Sequence, residues 1–178
     1  MDEPSSRVTL RPPSAADEVA LLAVNQTSRA LHHPWVAPPL TPEAFAAYLG
    51  RCAAPEVASL LVCRAADGAV MGVVTLSQIF YGALQSAYVG YYIGALYAGQ
   101  GHMAAALALA LDHAFGPLRL HRVEANIQPG NQASLALVRR LGFTHEGFSR
   151  RYLFIDGAWR DHERFAMLAE DWAERGSR

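Results

Sequence analysis

The stretch Tyr91-Tyr92-Ile93-Gly94-Ala95-Leu96-Tyr97-Ala98-Gly99-Gln100-Gly101-His102-Met103-Ala104 decides the fold prediction for this chain. It begins as an aromatic β-strand, passes through a glycine-containing loop and enters a helix rich in alanine and leucine. The first N–H groups of a helix lack partners within it, and the helix dipole adds partial positive charge there. Because glycines let an anion approach the backbone, the sequence predicts a phosphate-binding site at the start of this helix.

Two nucleotide-binding patterns can be compared with this loop. Residues 99–104 formally match the G-x-G-x-x-A pattern of dinucleotide-binding proteins, and Glu124 lies near the position of that fold's acidic ribose ligand. That fold places its first glycine directly after the first strand, whereas most predicted strands of this chain precede the site. The dinucleotide interpretation stays a remote alternative, and a Walker-type loop is excluded because no Gly-Lys-Ser/Thr follows.

In the flanking sequence, stretches with the residue pattern of β-strands alternate with stretches whose apolar residues have helical spacing. Strands are predicted at residues 8–10, 58–64, 70–79, 88–93, 121–127, 148–155 and 159–168. Helices are predicted after the caps Ser14, Thr41 and Asn131, with Gly50 ending the second of them, and over residues 103–115. This order predicts an α/β (α+β mixed) fold with one mixed sheet, mostly antiparallel with a central parallel pair, and helices on both faces. Residues 1–178 are expected to form a single domain.

Composition excludes several classes of protein. The chain has 178 residues, 17% of them charged, and a formal net charge of −1, so no direct nucleic-acid binding is expected. The longest apolar run, residues 103–111, is far shorter than the ~20 residues of a membrane span. Cys52 and Cys63 form no metal-ligand pattern, and the acidic N-terminus does not look like a signal peptide. We therefore expect a cytoplasmic protein without a metal.

Several motifs, in order, carry a resemblance to a known family. They are residues 31–35, 93–104, 121–126, 131–134, 141–143, 146–147, 152–153 and 156–162. Together they resemble the GCN5-related N-acetyltransferase (GNAT) superfamily, in particular its ribosomal-protein-alanine N-acetyltransferase (RimJ/RimL-like) branch. Ala98 and Met103 depart from that family's R/Q-x-x-G-x-G/A phosphate motif, whose central glycine, Gly101, is kept.

The resemblance implies acetyl-CoA as co-substrate, no metal, and direct acetyl transfer to an amine. It assigns cofactor binding to one group of residues: Tyr92, Ile93, Gly99, Gln100, Gly101, His102, Met103 and Asn131. It makes Ser134 the expected general acid, with Tyr152 as the second candidate, and Glu124 the expected base, acting through a water. For Glu124 the alternative is an exposed carboxylate or a partner of Arg122. Trp35 and Tyr91 are the expected substrate-binding residues.

The sequence leaves open which class of amine accepts the acetyl group. The resemblance favours the N-terminal α-amine of a protein, with a ribosomal protein as the expected substrate. A small amine, such as a polyamine, an amino acid or an aminoglycoside, is the first alternative, and a non-catalytic acetyl-CoA-binding module is the second. A homodimer is compatible with the sequence. An α-amine has a pKa near 7.8 and a lysine near 10.4, so an α-amine demands less from a general base.

Overall fold

One seven-stranded sheet runs through residues 7–176, the part of the chain that the computed structural model describes. The strands are Val8–Arg11 (β1), Ala58–Arg64 (β2), Val70–Phe80 (β3), Ser86–Ile93 (β4), Arg122–Ile127 (β5), Thr144–Ile155 (β6) and Ala158–Leu168 (β7). Their order across the sheet is β1-β2-β3-β4-β5-β7-β6, and β4 and β5 are its parallel neighbours. The predicted mixed sheet with a central parallel pair is confirmed.

Six helices connect and cover these strands within the same residues. They are Glu18–Thr27 (α1), Arg29–His32 (α2), Pro42–Cys52 (α3), His102–Phe115 (α4), Gln132–Arg140 (α5) and Ala169–Gly176 (α6). Thr41 caps α3, accepting a hydrogen bond from the Ala44 N–H, as its sequence predicts. The prediction that Gly50 ends α3 is wrong, because the helix continues through Cys52. None of the helices in this range is long and apolar enough to cross a membrane.

Helices pack on both faces of the sheet, as predicted. Leu107 of α4 is fully buried against a face that includes Val62, whereas Phe45 of α3 is buried with Leu61 on the opposite face. Adjacent strand residues point to opposite faces, so β2 contributes to both cores. The larger core lies under α4 and fixes the position of that helix relative to β4.

The parallel strands separate at one end, and this separation creates the site. Residues 86–88 of β4 pair with residues 122–124 of β5, but residues 89–93 continue without a β5 partner in the described chain. The chain leaves β4 here, turns through residues 94–101 and returns as α4. A gap therefore opens beside the carboxyl end of β4, at the first turn of α4.

The C-terminal helix α6 was not predicted from the sequence. It is short and mostly polar, and it is held by Trp172, whose Nε1 donates to Asp112 Oδ1 at 2.7 Å. The first four residues, from which no signal peptide was expected, lie outside the described range.

Candidate active site

A cavity of about 380 Å³ occupies the gap between β4 and β5. Its walls come from the end of β4, the loop before α4, the first turn of α4, the helix α5 and the helix α2. Seven of the eight residues predicted to bind the cofactor line it, namely Tyr92, Ile93, Gly99, Gly101, His102, Met103 and Asn131. The side chain of the eighth, Gln100, folds back to donate to the Leu96 carbonyl at 2.7 Å.

The loop before α4 has the geometry of an anion site. Gly99 and Gly101 have φ angles of +74° and +84°, in the left-handed region that favours glycine, and Gly101 is the N-cap of α4. A Cβ on either glycine would meet nothing within 4 Å, so the space in front of the backbone is open. His102 Nδ1 is buried beside this turn without a hydrogen-bond partner. Arg140 lines the same cavity and adds positive charge.

The backbone of β4 presents polar groups to the gap. The Gly94 N–H donates to the Met71 carbonyl of β3 at 2.7 Å. Because backbone groups alternate sides along a strand, those of Ile93 and Tyr91 point away from β3, toward the gap. The Ile93 carbonyl accepts a hydrogen bond from His32 Nε2 at 2.9 Å. The Ile93 N–H therefore faces the cavity, where it can donate to a bound carbonyl.

His32 is buried behind this strand end. Burial lowers the pKa of its imidazole, although the bond to the Ile93 carbonyl acts in the opposite direction. The ring stands edge-on to Tyr92, with the ring centres 5.0 Å apart. These two contacts hold His32 against the end of β4.

A hydroxyl pair lies where α5 meets β4. Tyr91 Oη and Ser134 Oγ are 2.6 Å apart, and the Ser134 N–H donates to Asn131 Oδ1 at 3.1 Å. Asn131 therefore caps α5, as predicted, and places Ser134 in its first turn. Burial raises the pKa of Tyr91 to about 12, so its phenol stays protonated at neutral pH. The pair can donate a proton to a group bound in the cavity.

A second cavity of about 150 Å³ adjoins the first, and Trp35, Tyr91 and Ser134 line both. Trp35 lies directly on the backbone of Gly130, where an added Cβ would come within 2.9 Å of the indole ring. Asn126, Leu153, Ile155 and His162 also line the second cavity. Within residues 7–176, no Asp or Glu lines either cavity.

Glu124 does not line either cavity, although it lies on the same face of β5 as Asn126, which lines the smaller one. Its carboxylate accepts from Arg122 Nε at 2.9 Å and lies 3.6 Å from Arg164 Nη2. Arg122 also pairs with Glu146. The alternative, a carboxylate held by Arg122, is the arrangement that the structure shows.

Tyr152 also lines neither cavity. Its hydroxyl lies 3.1 Å from that of Tyr88, and its ring packs edge-on to His162, with ring centres 6.1 Å apart. Of the three predicted catalytic residues, only Ser134 lines the cavities. Among residues 7–176, no group of three or more His, Cys, Asp or Glu is placed to hold a metal ion.

His162, Asn126 and Arg140 are lining residues that the sequence did not single out for the site. His162 belongs to the 156–162 segment that carried the family resemblance, but nothing in its spacing marked it as a cavity residue. Arg140 is one of several late arginines, and its position on α5 beside the anion site required the folded structure.

Comparisons with known proteins agree with this geometry. Residues 7–144 match the family described as "Acetyltransferase (GNAT) domain". The "[Ribosomal protein uS5]-alanine N-acetyltransferase" of Escherichia coli (strain K12) is 40% identical over 103 residues, which are 58% of this chain and 53% of that protein. The alignments with this and another leading curated relative span between 53% and 61% of the relatives' own lengths.

Two solved structures have a similar fold. Mycobacterium smegmatis RimJ in complex with CoA-disulfide has a TM-score of 0.85 at 30% identity, over 97% of this chain and 91% of that one. Spermidine N-acetyltransferase from Vibrio cholerae, in complex with CoA and spermine, has a TM-score of 0.80 at 23% identity. That alignment covers 94% of this chain and 99% of the Vibrio chain, and at this identity it shows the fold alone.

Proposed function

The chain belongs to the GNAT acetyltransferase family, in its RimJ/RimL-like branch, and on that premise we propose that it acetylates the N-terminal α-amine of a protein, using acetyl-CoA. We propose a ribosomal protein as the acceptor, in line with the name of the Escherichia coli relative. The observation that carries the proposal is the meeting of two cavities at the Tyr91–Ser134 pair. One cavity suits a phosphate-bearing cofactor, and the other suits a small acceptor.

The larger cavity fits acetyl-CoA, which supplies the acetyl group as a thioester when bound. The amides around Gly99 and Gly101, at the start of α4, would hold the pyrophosphate. Arg140 would pair with a phosphate, and the Ile93 N–H would donate to the acetyl carbonyl. Ala98 and Met103 both line this cavity, so their departures from the family motif alter its wall and leave the backbone donors in place.

Ser134 is the proposed general acid. Its hydroxyl protonates the departing thiolate. The Tyr91 phenol, hydrogen-bonded to Ser134, can then supply a proton to the Ser134 oxygen. The CoA thiol, by analogy with cysteine, has a pKa not far from about 8.5, so the acid need only be moderately strong. We predict that Ser134 contributes to the rate and little to acetyl-CoA affinity.

The smaller cavity favours a small N-terminal residue. Its volume is about 150 Å³, against about 380 Å³ for the cofactor cavity, which suits a small first residue such as alanine or serine. A polyamine carries several cationic groups that need carboxylate partners, and no Asp or Glu among the described residues lines the cavities. We therefore favour the α-amine over the polyamine. We place the enzyme in the cytoplasm, consistent with two free cysteines.

A thiol-release assay with acetyl-CoA tests the proposal. The acceptors are short peptides with free N-terminal Ala, Ser or Met, peptides with a blocked N-terminus and a free lysine, and spermidine. We expect turnover on the free α-amines, fastest with Ala or Ser, and none on blocked lysine. Turnover on spermidine alone would move the function to small amines. Calorimetric binding of acetyl-CoA without turnover on any acceptor would favour a non-catalytic module.

A further inference from the structure

His162 is the one titratable side chain besides Tyr91 in the described lining of the smaller cavity. It lies in the middle of β7, and only 1% of its surface is exposed. The cavity also contains Tyr91 and Ser134, the groups placed next to the thioester by the proposed function. A buried imidazole at this position faces the compartment that would receive the acceptor amine.

The hydrogen bonding of His162 defines its tautomer. Nδ1 lies 3.0 Å from the Arg160 carbonyl oxygen, which can only accept, so Nδ1 carries the proton. In the neutral ring, Nε2 then carries the free lone pair. The edge of the Tyr152 ring packs against the imidazole, and the Tyr152 hydroxyl is itself held by Tyr88. These contacts fix the orientation of the ring.

The surroundings keep His162 neutral at physiological pH. Burial lowers its pKa below the ordinary 6.5, while the Arg160 carbonyl and the neighbouring Asp161 partly oppose this. From β4 it is faced by the phenol of Tyr91, which stays protonated, and from β6 by that of Tyr152. On its own side of β7, Arg160 and Arg164 each lie two residues away, and Arg164 Nη2 is 3.6 Å from the Glu124 carboxylate. A neutral imidazole with a free Nε2 is the form that a general base requires.

We infer that His162 is the general base that takes the proton from the acceptor amine, an inference that rests on the proposed function. The neutral amine nitrogen bonds to the acetyl carbon while the C–S bond breaks. The amine proton passes to His162 Nε2, and the thiolate takes a proton from Ser134. After product release, His162 returns its proton to solvent and Ser134 regains one. This assigns to His162 the role that the sequence analysis gave to Glu124.

The test compares His162→Asn and His162→Gln with wild type on whichever peptide wild type acetylates best. Asn can still donate to the Arg160 carbonyl, and Gln keeps the length of the side chain, but neither accepts a proton. His145→Asn is the matched control, because His145 also lies on the β6–β7 pair, bonds to Glu163 and lines neither cavity. Thermal melting and acetyl-CoA calorimetry accompany every variant.

Both His162 variants should lower kcat about 100-fold, the contribution typical of a general base, with the acetyl-CoA Kd unchanged within twofold. Wild-type kcat should rise with pH through a pKa below 6.5, and this limb should be absent from both variants. His145→Asn should behave as wild type. A His162→Asn enzyme with kcat within threefold of wild type and an unchanged pH profile would overturn the inference.

The outcome separates the inference from the proposed function. If wild type acetylates spermidine and no α-amine, the proposed function fails, and the same variants on spermidine still decide the role of His162. If no acceptor is acetylated although acetyl-CoA binds, the proposed function and the inference both fail. If the variants do not fold, side-chain ¹⁵N NMR of wild type tests the inference. The inference requires the Nδ1–H tautomer at pH 7, and an Nε2–H tautomer would overturn it.

Discussion

The left-handed conformation of Gly101 gives a prediction whose magnitude can be worked from the structure. Gly101 has a φ of +84°, and a Cβ there would meet nothing within 4 Å. The Gly101→Ala change therefore adds no clash, and its effect is the backbone strain of an L-residue in this region, about 1–2 kcal/mol. Alanine also reduces the freedom of the unfolded chain, which returns about 0.4–1 kcal/mol. The net loss of folding stability should be about 1 kcal/mol.

The same strain should appear in cofactor binding. In the free protein the loop can relax away from the left-handed conformation, but holding the pyrophosphate requires its amides in their present positions. Whatever part of the strain the free loop relieves in this way is missing from the loss of folding stability and opposes binding instead, so the acetyl-CoA Kd should rise by up to about 30-fold. Isothermal calorimetry measures this Kd, and thermal melting should show a decrease of about 2–4 °C.

Two other glycines provide matched controls. Gly68, with a φ of +73° and open space around it, lies in the turn between β2 and β3, away from the cavities. Gly68→Ala should lose similar stability with no change in acetyl-CoA Kd. Gly50 lies inside α3 with nothing within 4 Å, so Gly50→Ala should gain about 0.5–1 kcal/mol. An unchanged Kd and an unchanged melting temperature in Gly101→Ala, beside a destabilised Gly68→Ala, would refute the strained anion site at α4.

Three further predictions concern the hydroxyl pair, an ion pair and the core. Tyr91→Phe removes the 2.6 Å bond to Ser134, so kcat should fall about fivefold in the thiol-release assay at unchanged acetyl-CoA Kd, and an unaltered kcat would exclude the pair from proton transfer. The hydrogen bond from Arg11 lowers the pKa of Asp17 to about 2, so this pair stabilises the fold above about pH 4 and its contribution is lost as pH falls toward 2. Thermal melts should show Asp17→Asn less stable by about 1 kcal/mol at pH 7, with the difference disappearing near pH 2; a difference independent of pH would contradict this. Leu107→Ala empties a fully buried site and should cost about 2–5 kcal/mol in urea unfolding, and a loss below 1 kcal/mol would show that the α4 core collapses around the change.

The elements with local signals were predictable from the sequence. The glycines and the alanine-rich helix of residues 99–115 predicted the loop and helix start at which we propose an anion site, and Asn131 was predicted as a cap because its side chain acts within its own turn. The parallel pair followed from the strand–helix–strand order around α4. Short, polar α6 has no strong apolar period, and it is fixed by a contact between Trp172 and Asp112, 60 residues apart.

The proposed catalytic residues were harder to predict because they meet only in the folded chain. The alternation of side chains along β5 predicts to which face of the sheet Glu124 points. It does not predict that Arg122 and Arg164 hold its carboxylate. His162 reaches the smaller cavity only because β7 lies beside β5 and the loop bearing Trp35 closes over the gap. Contacts between strands that are distant in sequence determine that the Glu124 carboxylate is paired with arginines and that the His162 imidazole lines a cavity.

The measurement that tests the central claim most directly is the position of the acetyl group on a doubly reactive acceptor. A peptide with a free N-terminal alanine and an internal lysine is incubated with the enzyme and acetyl-CoA in the presence of equimolar spermidine, and tandem mass spectrometry locates the product. Our account predicts acetylation of the α-nitrogen alone, because the smaller cavity has a volume of only about 150 Å³ and no Asp or Glu is among its described lining residues. Acetylation of the lysine side chain or of spermidine, with the α-amine left free, would contradict it.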